Sequence, residues 1–281
     1  IAQAGVALSP LMHTGARRSA LVIGYGTGMS ARVLHDAGYA ALEIVDLSGD
    51  IVQLANAHFG DVNGGVTRRA GVRTYITDGR NFLLLQDRRY DLVSMEISSI
   101  WFAGAASLYN REFYQLAKRR LAPEGVLQQW VQLHHIHPRD VLYILGSLRS
   151  EFRYVWIYEI GGQGIVIASN SPAAVPRPEY IEQIDRTGSL GPILKLHGGT
   201  VRKLAGNRLL DPDGVDRLLG GFKLPAEHWI STDDNLILEY STPRGNVLDG
   251  TISFTRNVEL LRSQAIPRKE GAGAFAGGRA P

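Results

Sequence analysis

Ala20-Leu-Val-Ile-Gly-Tyr-Gly-Thr-Gly28 is an apolar run that breaks into three alternate glycines and then opens an amphipathic segment. It reads as a strand, a turn of phosphate size and the start of a helix. Glycine at Gly24, Gly26 and Gly28 permits positive φ and removes the Cβ atoms that would hold a nucleotide or amino-acid group away from the backbone N–H groups. The same three glycines suit a ligand-free β-to-α turn, so the loop alone leaves both readings open.

Downstream, Met29 to Ala37 places Val33 and Leu34 on one face and stops at Gly38, which predicts a helix whose N-terminus points at the loop. Apolar runs at 41–47, 72–77, 90–97 and 125–133 predict four further strands, with helices at 51–59, 111–121 and 140–150. Runs at 153–159 and 164–169 flank the Gly161-Gly-Gln-Gly164 turn and predict two closing strands. This alternation predicts an α/β fold with a doubly wound, mostly parallel, seven-stranded sheet over residues 20–170, covered by helices on both faces. Residues 1–19 read as a lead-in of partial helix and loop. Residues 171–265, opening with the Pro-rich stretch 171–178, read as a mainly helical appendage. Within it, Ser231-Thr-Asp-Asp-Asn235 reads as an acidic turn before a strand at 236–240. The Gly/Ala-rich residues 266–281 have too little to bury to offset their ordering entropy and read as a flexible tail.

The 281 residues are 44% hydrophobic, enough for a substantial core. A net charge of +3 spread over separated arginine pairs, Arg17-Arg18, Arg68-Arg69, Arg88-Arg89 and Arg119-Arg120, forms no stripe that would call for nucleic acid. There is no cysteine, which excludes disulfides, thiolate metal sites and a cysteine nucleophile and fits an intracellular enzyme. No apolar run reaches the roughly 18 residues of a membrane span. A soluble, cytoplasmic protein is expected, and the opening at Ile1 is expected of a piece of a longer chain.

Three carboxylates fall at predicted strand ends, where open α/β sheets bind ligands. Asp46, eighteen residues beyond Gly28 and followed by Leu47, suits the two hydroxyls of a ribose. Asp78, followed by Gly79, suits an adenine amino group, although either Asp alone also suits a helix cap. Glu96 precedes Ser98, Ser99 and Trp101, small polar and aromatic residues able to wall a pocket. An amine nucleophile is protonated at neutral pH, so transfer to it requires a carboxylate that binds the ammonium and takes its proton. Glu96 is the candidate. Trp130 and Gln132 share one face of the fifth strand, as core or as substrate wall. Alternate residues His135 and His137 share one strand face, but no cluster of nearby acidic ligands completes a site with His134, and no metal site is expected.

These residues resemble the spermidine synthase family, whose sheet is of the class I adenosylmethionine methyltransferase type. The family's glycine loop looks like Gly24-Tyr25-Gly26-Thr-Gly28, its ribose acid falls on Asp46, and its adenine-side Asp-Gly falls on Asp78-Gly79. Its catalytic Asp-Ser-Ser-Asp-Pro stretch aligns with Glu96-Ile-Ser-Ser-Ile100, followed by Leu108-Tyr109-Asn-Arg-Glu-Phe-Tyr114. The Glu96–Trp101, Gln129-Trp130-Val-Gln132-Leu133 and Thr232–Tyr240 stretches resemble the membrane-fused branch, whose membrane helices are absent from this sequence.

The resemblance implies an aminopropyl-type transfer from decarboxylated S-adenosylmethionine, or S-adenosylmethionine, to a small-molecule amine, with methylthioadenosine released and self-association of the protein. It implies cofactor contacts at Gly24, Tyr25, Gly26, Gly28, Asp46, Leu47, Asp78 and Gly79. Substrate contacts are implied at Ser98, Ser99, Trp101, Tyr109, Trp130 and Gln132, around a catalytic Glu96. Two departures stand out. Glu96 and Ser99 replace two aspartates, removing one counter-ion for a diamine. The family's N-terminal hairpin with its Tyr-His-Glu motif is unmatched in the sequence. A methyltransferase on the same scaffold and a catalytically degenerate binding subunit are the alternatives.

Overall fold

The computed structural model describes residues 2–264 except Ser98 and Lys223, so the expected tail at 266–281 and the Ser98 contact lie outside the described residues. Eight strands form one sheet: β1 Ser19–Ile23, β2 Ala41–Asp46, β3 Val72–Ile76, β4 Tyr90–Met95, β5 Leu121–Val131, β6 Tyr154–Ile160, β7 Gln163–Ser169 and β8 Arg208–Leu210. Their order is β3-β2-β1-β4-β5-β7-β6-β8. β3, β2, β1, β4 and β5 run parallel, while β7 lies antiparallel between β5 and β6. The chain winds outward from β1 to β3 and then crosses back to β4. The carboxyl ends of β1 and β4 therefore diverge into the crevice where such sheets take ligands.

Alternating side chains divide the core into two halves. Leu21, Ile23, Val93, Met95, Leu127 and Val131 face one side, against Phe82 of the helix Gly79–Leu85, Phe113 of Arg111–Arg120 and Leu145 of Pro138–Glu151. Ala20, Val22, Leu92 and Val126 face the other, against Leu8 of the lead-in helix Ala2–Leu8 and Leu34 of Met29–Asp36. Central β4 is buried along its whole length because both faces are covered.

All seven strands expected over residues 20–170 are present, and the sheet gains an eighth. β8, only three residues long, pairs antiparallel with β6 through Ile157–Leu210 and Tyr158–Arg208. It covers an edge that would otherwise expose unpaired backbone groups, and so short a strand has no periodicity to read. The rest of 171–264 is mainly helical and spreads over both faces, with Ile181 and Ile184 on one side and Val215 and Leu218 on the other. The strand expected at 236–240 is instead the helix Ile237–Ser241, entered through Leu236 at φ +49°. Leu238, Ser241 and Thr242 are the buried residues there, a spacing of three to four that belongs to a helix.

Candidate active site

β1 runs into Gly24, whose N–H donates to Val45 O at 2.8 Å. Gly24, Gly26 and Gly28 all have positive φ, at +92°, +52° and +81°. At Gly28 space demands glycine as well, since a Cβ would stand 2.5 Å from Tyr25 Cζ and 2.8 Å from Asn63 Cβ. A Cβ on Gly24 would press against the Glu96 carbonyl oxygen at 3.3 Å. The first of the three glycines therefore touches the residue that ends β4. Tyr25 joins the loop through its backbone; its ring is buried beneath, with the hydroxyl donating to Asn56 Oδ1 at 2.9 Å.

Asp46 accepts the Tyr25 N–H on Oδ2 at 2.7 Å and the Ser48 N–H on Oδ1 at 2.9 Å. Each oxygen keeps a further lone pair, which is what a pair of vicinal hydroxyls requires. Asp78 stands one strand farther out, with the preceding Thr77 N–H donating to Asp46 O at 2.9 Å. Its Oδ1 caps the helix Gly79–Leu85 by accepting the Asn81 N–H at 2.7 Å. Gly79 has a packing role, since a Cβ there would lie 2.4 Å from Ile23 Cγ2. Leu47 is 75% exposed between the two aspartates.

Glu96 follows β4 directly, and its N–H donates to Ile23 O at 2.9 Å, so it sits beside the glycine loop. Ser94 Oγ lies 3.3 Å from Glu96 Oε1, and Ser30, in the first turn of Met29–Asp36, also bonds the carboxyl. Burial pushes the Glu96 pKa up to about 7 against the smaller opposing pull of the two hydroxyls. Asp78, Asp46, the glycine loop and Glu96 thus form a row along the carboxyl ends of β3, β2, β1 and β4.

The expected substrate wall is brought together only in part. Trp130 and Gln132 lie on the same side of β5 as Gln128, which bonds Ser94. Gln132 Nε2 donates to His134 O at 2.7 Å, and its Oε1 is buried without a partner among the described residues. Tyr109 stands behind the strand, 1% exposed, with its hydroxyl on Trp130 O at 2.9 Å. Trp101 stacks at a tilt on Phe102, ring centroids 4.4 Å apart, and Ser99 O accepts the Phe102 N–H at 3.4 Å. The histidines diverge. His137 caps Pro138–Glu151, while His134 and His135, the latter bonded to Leu248 O, border a 410 Å³ cavity beyond β5 lined also by Gln163, Thr251 and Phe254. No group of three or more potential ligands gathers among the described residues, and no helix there is long and apolar enough to cross a membrane.

Sequence reasoning missed the tethers that close this edge. Arg80, two residues past Asp78, forms a two-pronged pair with Asp233, which also accepts Asn110 Nδ2 at 3.1 Å. Glu239 Oε1 accepts the Gly104 N–H at 2.9 Å and so holds the loop that follows Glu96. Partners 153 and 135 residues apart leave no local signal. Ser94 was within reach of the sequence, because it lies two positions before Glu96 and a strand repeats its face every second residue.

The family model described as the spermine/spermidine synthase domain matches residues 2–173. Over 235 residues the chain is 27% identical to a polyamine aminopropyltransferase of Nitrosomonas europaea, covering 80% of this chain and 70% of that protein. Over 162 residues it is 30% identical to polyamine aminopropyltransferase 2 of Pseudomonas aeruginosa, covering 54% of this chain and 46% of that one. The chain thus spans less than half of the second relative. Among solved structures, the spermidine synthase of Thermotoga maritima superposes with a TM-score of 0.54 at 17% identity, over 66% of this chain and 65% of that one, a likeness of fold. A match that starts in the lead-in helix and runs through β7 takes in every strand that builds the crevice, and the chain belongs to the spermine/spermidine synthase family.

Proposed function

We propose that the protein is a polyamine aminopropyltransferase-type enzyme, moving an aminopropyl group from decarboxylated S-adenosylmethionine to a small-molecule amine. The observation that carries this reading is Glu96, whose backbone carbonyl lies against Gly24 of the glycine loop and whose carboxyl has its pKa pushed up to about 7. A carboxyl poised near neutrality can bind an ammonium and then take its proton. The names of the relatives agree with it.

The residues present fit such a donor. The positive-φ glycines Gly24, Gly26 and Gly28 shape the loop, Asp46 keeps a lone pair on each oxygen for the ribose, and Asp78 keeps its Oδ2 for the adenine amino group. The sulfonium brings its own leaving group, so the protein's work is to position and desolvate. The amine nitrogen forms a bond to the propyl carbon as the carbon–sulfur bond breaks. The electron pair goes to sulfur, giving neutral methylthioadenosine, and the ammonium proton goes to Glu96.

Incubating the protein with decarboxylated S-adenosylmethionine and a panel of amines is expected to release methylthioadenosine. S-adenosylhomocysteine from intact S-adenosylmethionine would instead make it a methyltransferase. No product from either donor would overturn both readings.

A further inference from the structure

The Ser94 hydroxyl has one proton and two acceptors within reach, Glu96 Oε1 at 3.3 Å and the side-chain amide of Gln128 on the neighbouring strand. Ser94 and Gln128 are both fully buried. With the Gln128 oxygen turned to Ser94, the serine proton is drawn away from Glu96 and Gln128 Nε2 is a buried donor without a partner. The two ends of an amide are nearly the same size, so the hydrogen-bond pattern decides which one faces the serine. Turning the amide over gives the serine proton and one amide proton an acceptor each. Gln128 Nε2 then donates to Ser94 Oγ, and Ser94 donates to Glu96. The orphaned group becomes a carbonyl oxygen, which is better tolerated than an orphaned N–H.

We propose that Gln128 presents its amide N–H to Ser94, committing the serine proton to Glu96 Oε1, so that the two residues form a buried positioning pair for that carboxylate. The pair acts on the ionised form. A hydroxyl aimed at a carboxylate stabilises its charge, and an amide donating into that hydroxyl strengthens it. Glu96 depends on this help because what surrounds it is otherwise uncharged. The first turn of Met29–Asp36 offers the Ser30 hydroxyl, β4 offers Ser94, β5 offers Gln128, and the Tyr25 phenol of the glycine loop is turned away to Asn56.

The proposal rests on Glu96 as the carboxyl of the site, but its test needs no turnover. The Glu96 carboxyl is titrated by infrared difference spectroscopy in the free protein, its band assigned by disappearance in Glu96→Gln. Ser94→Ala is expected to raise the midpoint by about one pH unit, a tenfold loss of ionised form at fixed pH. Gln128→Met, near in volume, is expected to raise it by a smaller amount, and Ser94→Thr to restore the original value. A fall in Gln128→Met would mean that the serine proton belongs to Gln128, and a midpoint that stays put in Ser94→Ala would mean that the hydroxyl is idle; either result overturns the pair. Ser94→Cys replaces Ser94→Ala if the alanine variant does not fold. Failure of aminopropyl transfer would leave the titration result standing, so the two readings fail separately.

Discussion

The backbone N–H of Tyr25 donates to Asp46 Oδ2 at 2.7 Å, which ties the glycine loop after β1 to the end of β2. One carboxylate thereby shapes the loop and faces the ligand edge. Asp46→Ala is expected to weaken binding of methylthioadenosine at least tenfold by calorimetry. It also leaves the Tyr25 and Ser48 N–H groups without their acceptor, costing about 1–3 kcal/mol of stability. Asp46→Asn keeps an acceptor for one N–H and should recover part of the stability but little of the affinity.

Glu96 sets the pH dependence. Its folded pKa of about 7 lies above the ordinary 4.5, so its contribution to stability is fully present below pH 4.5 and is lost as pH rises through 7. The total is on the order of 3 kcal/mol. Glu96→Gln should flatten this loss in thermal unfolding followed from pH 4 to pH 8. In turnover the sign reverses, since the base is the ionised form: kcat/KM should climb with pH to a plateau above about 7.

Gly79 lets the helix Gly79–Leu85 approach β1 closely. A Cβ would sit 2.4 Å from Ile23 Cγ2, a core side chain that cannot swing aside. Gly79→Ala is expected to destabilise the protein by about 1–3 kcal/mol in denaturant unfolding, with nucleoside affinity reduced because Asp78 moves with the helix.

Arg80 and Asp233 join the Asp78 turn to the loop at 231–235. Both side chains are partly open to solvent, so the pair is worth no more than about 1 kcal/mol after screening. Arg80→Met should therefore change global stability little. It should speed proteolysis within 231–241, read by mass spectrometry, and raise KM more than it lowers kcat.

Glu43 in β2 is 5% exposed and accepts the Tyr90 hydroxyl at 2.6 Å and the Tyr75 hydroxyl at 3.1 Å, with Arg88 paired to it. Glu43→Ala orphans the buried Tyr90 phenol and is expected to cost about 2–4 kcal/mol. The cluster lies toward the opposite end of the strands from Glu96, so activity per folded molecule should stay close to that of the parent.

The local sequence determined the strand–glycine–helix unit at 20–37 and the positions of the seven longer strands along the chain, because each of these depends on short-range steric rules and on apolar periodicity along one segment. It also placed Asp46, Asp78 and Glu96 at strand ends, since an apolar run that stops at a carboxylate marks its own boundary. Only the tertiary structure decided how those ends share work. Asp78 caps a helix with one oxygen, Asp46 holds the loop with one of its own, and Tyr109 turns behind β5. Neither β8 nor the Arg80–Asp233 tether has any repeat or motif of its own, since both arise from contacts between segments far apart in the chain. The chemistry of Glu96 belongs to the same class. Its position is written at the end of β4, but its pKa near neutrality comes from burial in the folded structure, against the smaller opposing pull of the Ser30 and Ser94 hydroxyls.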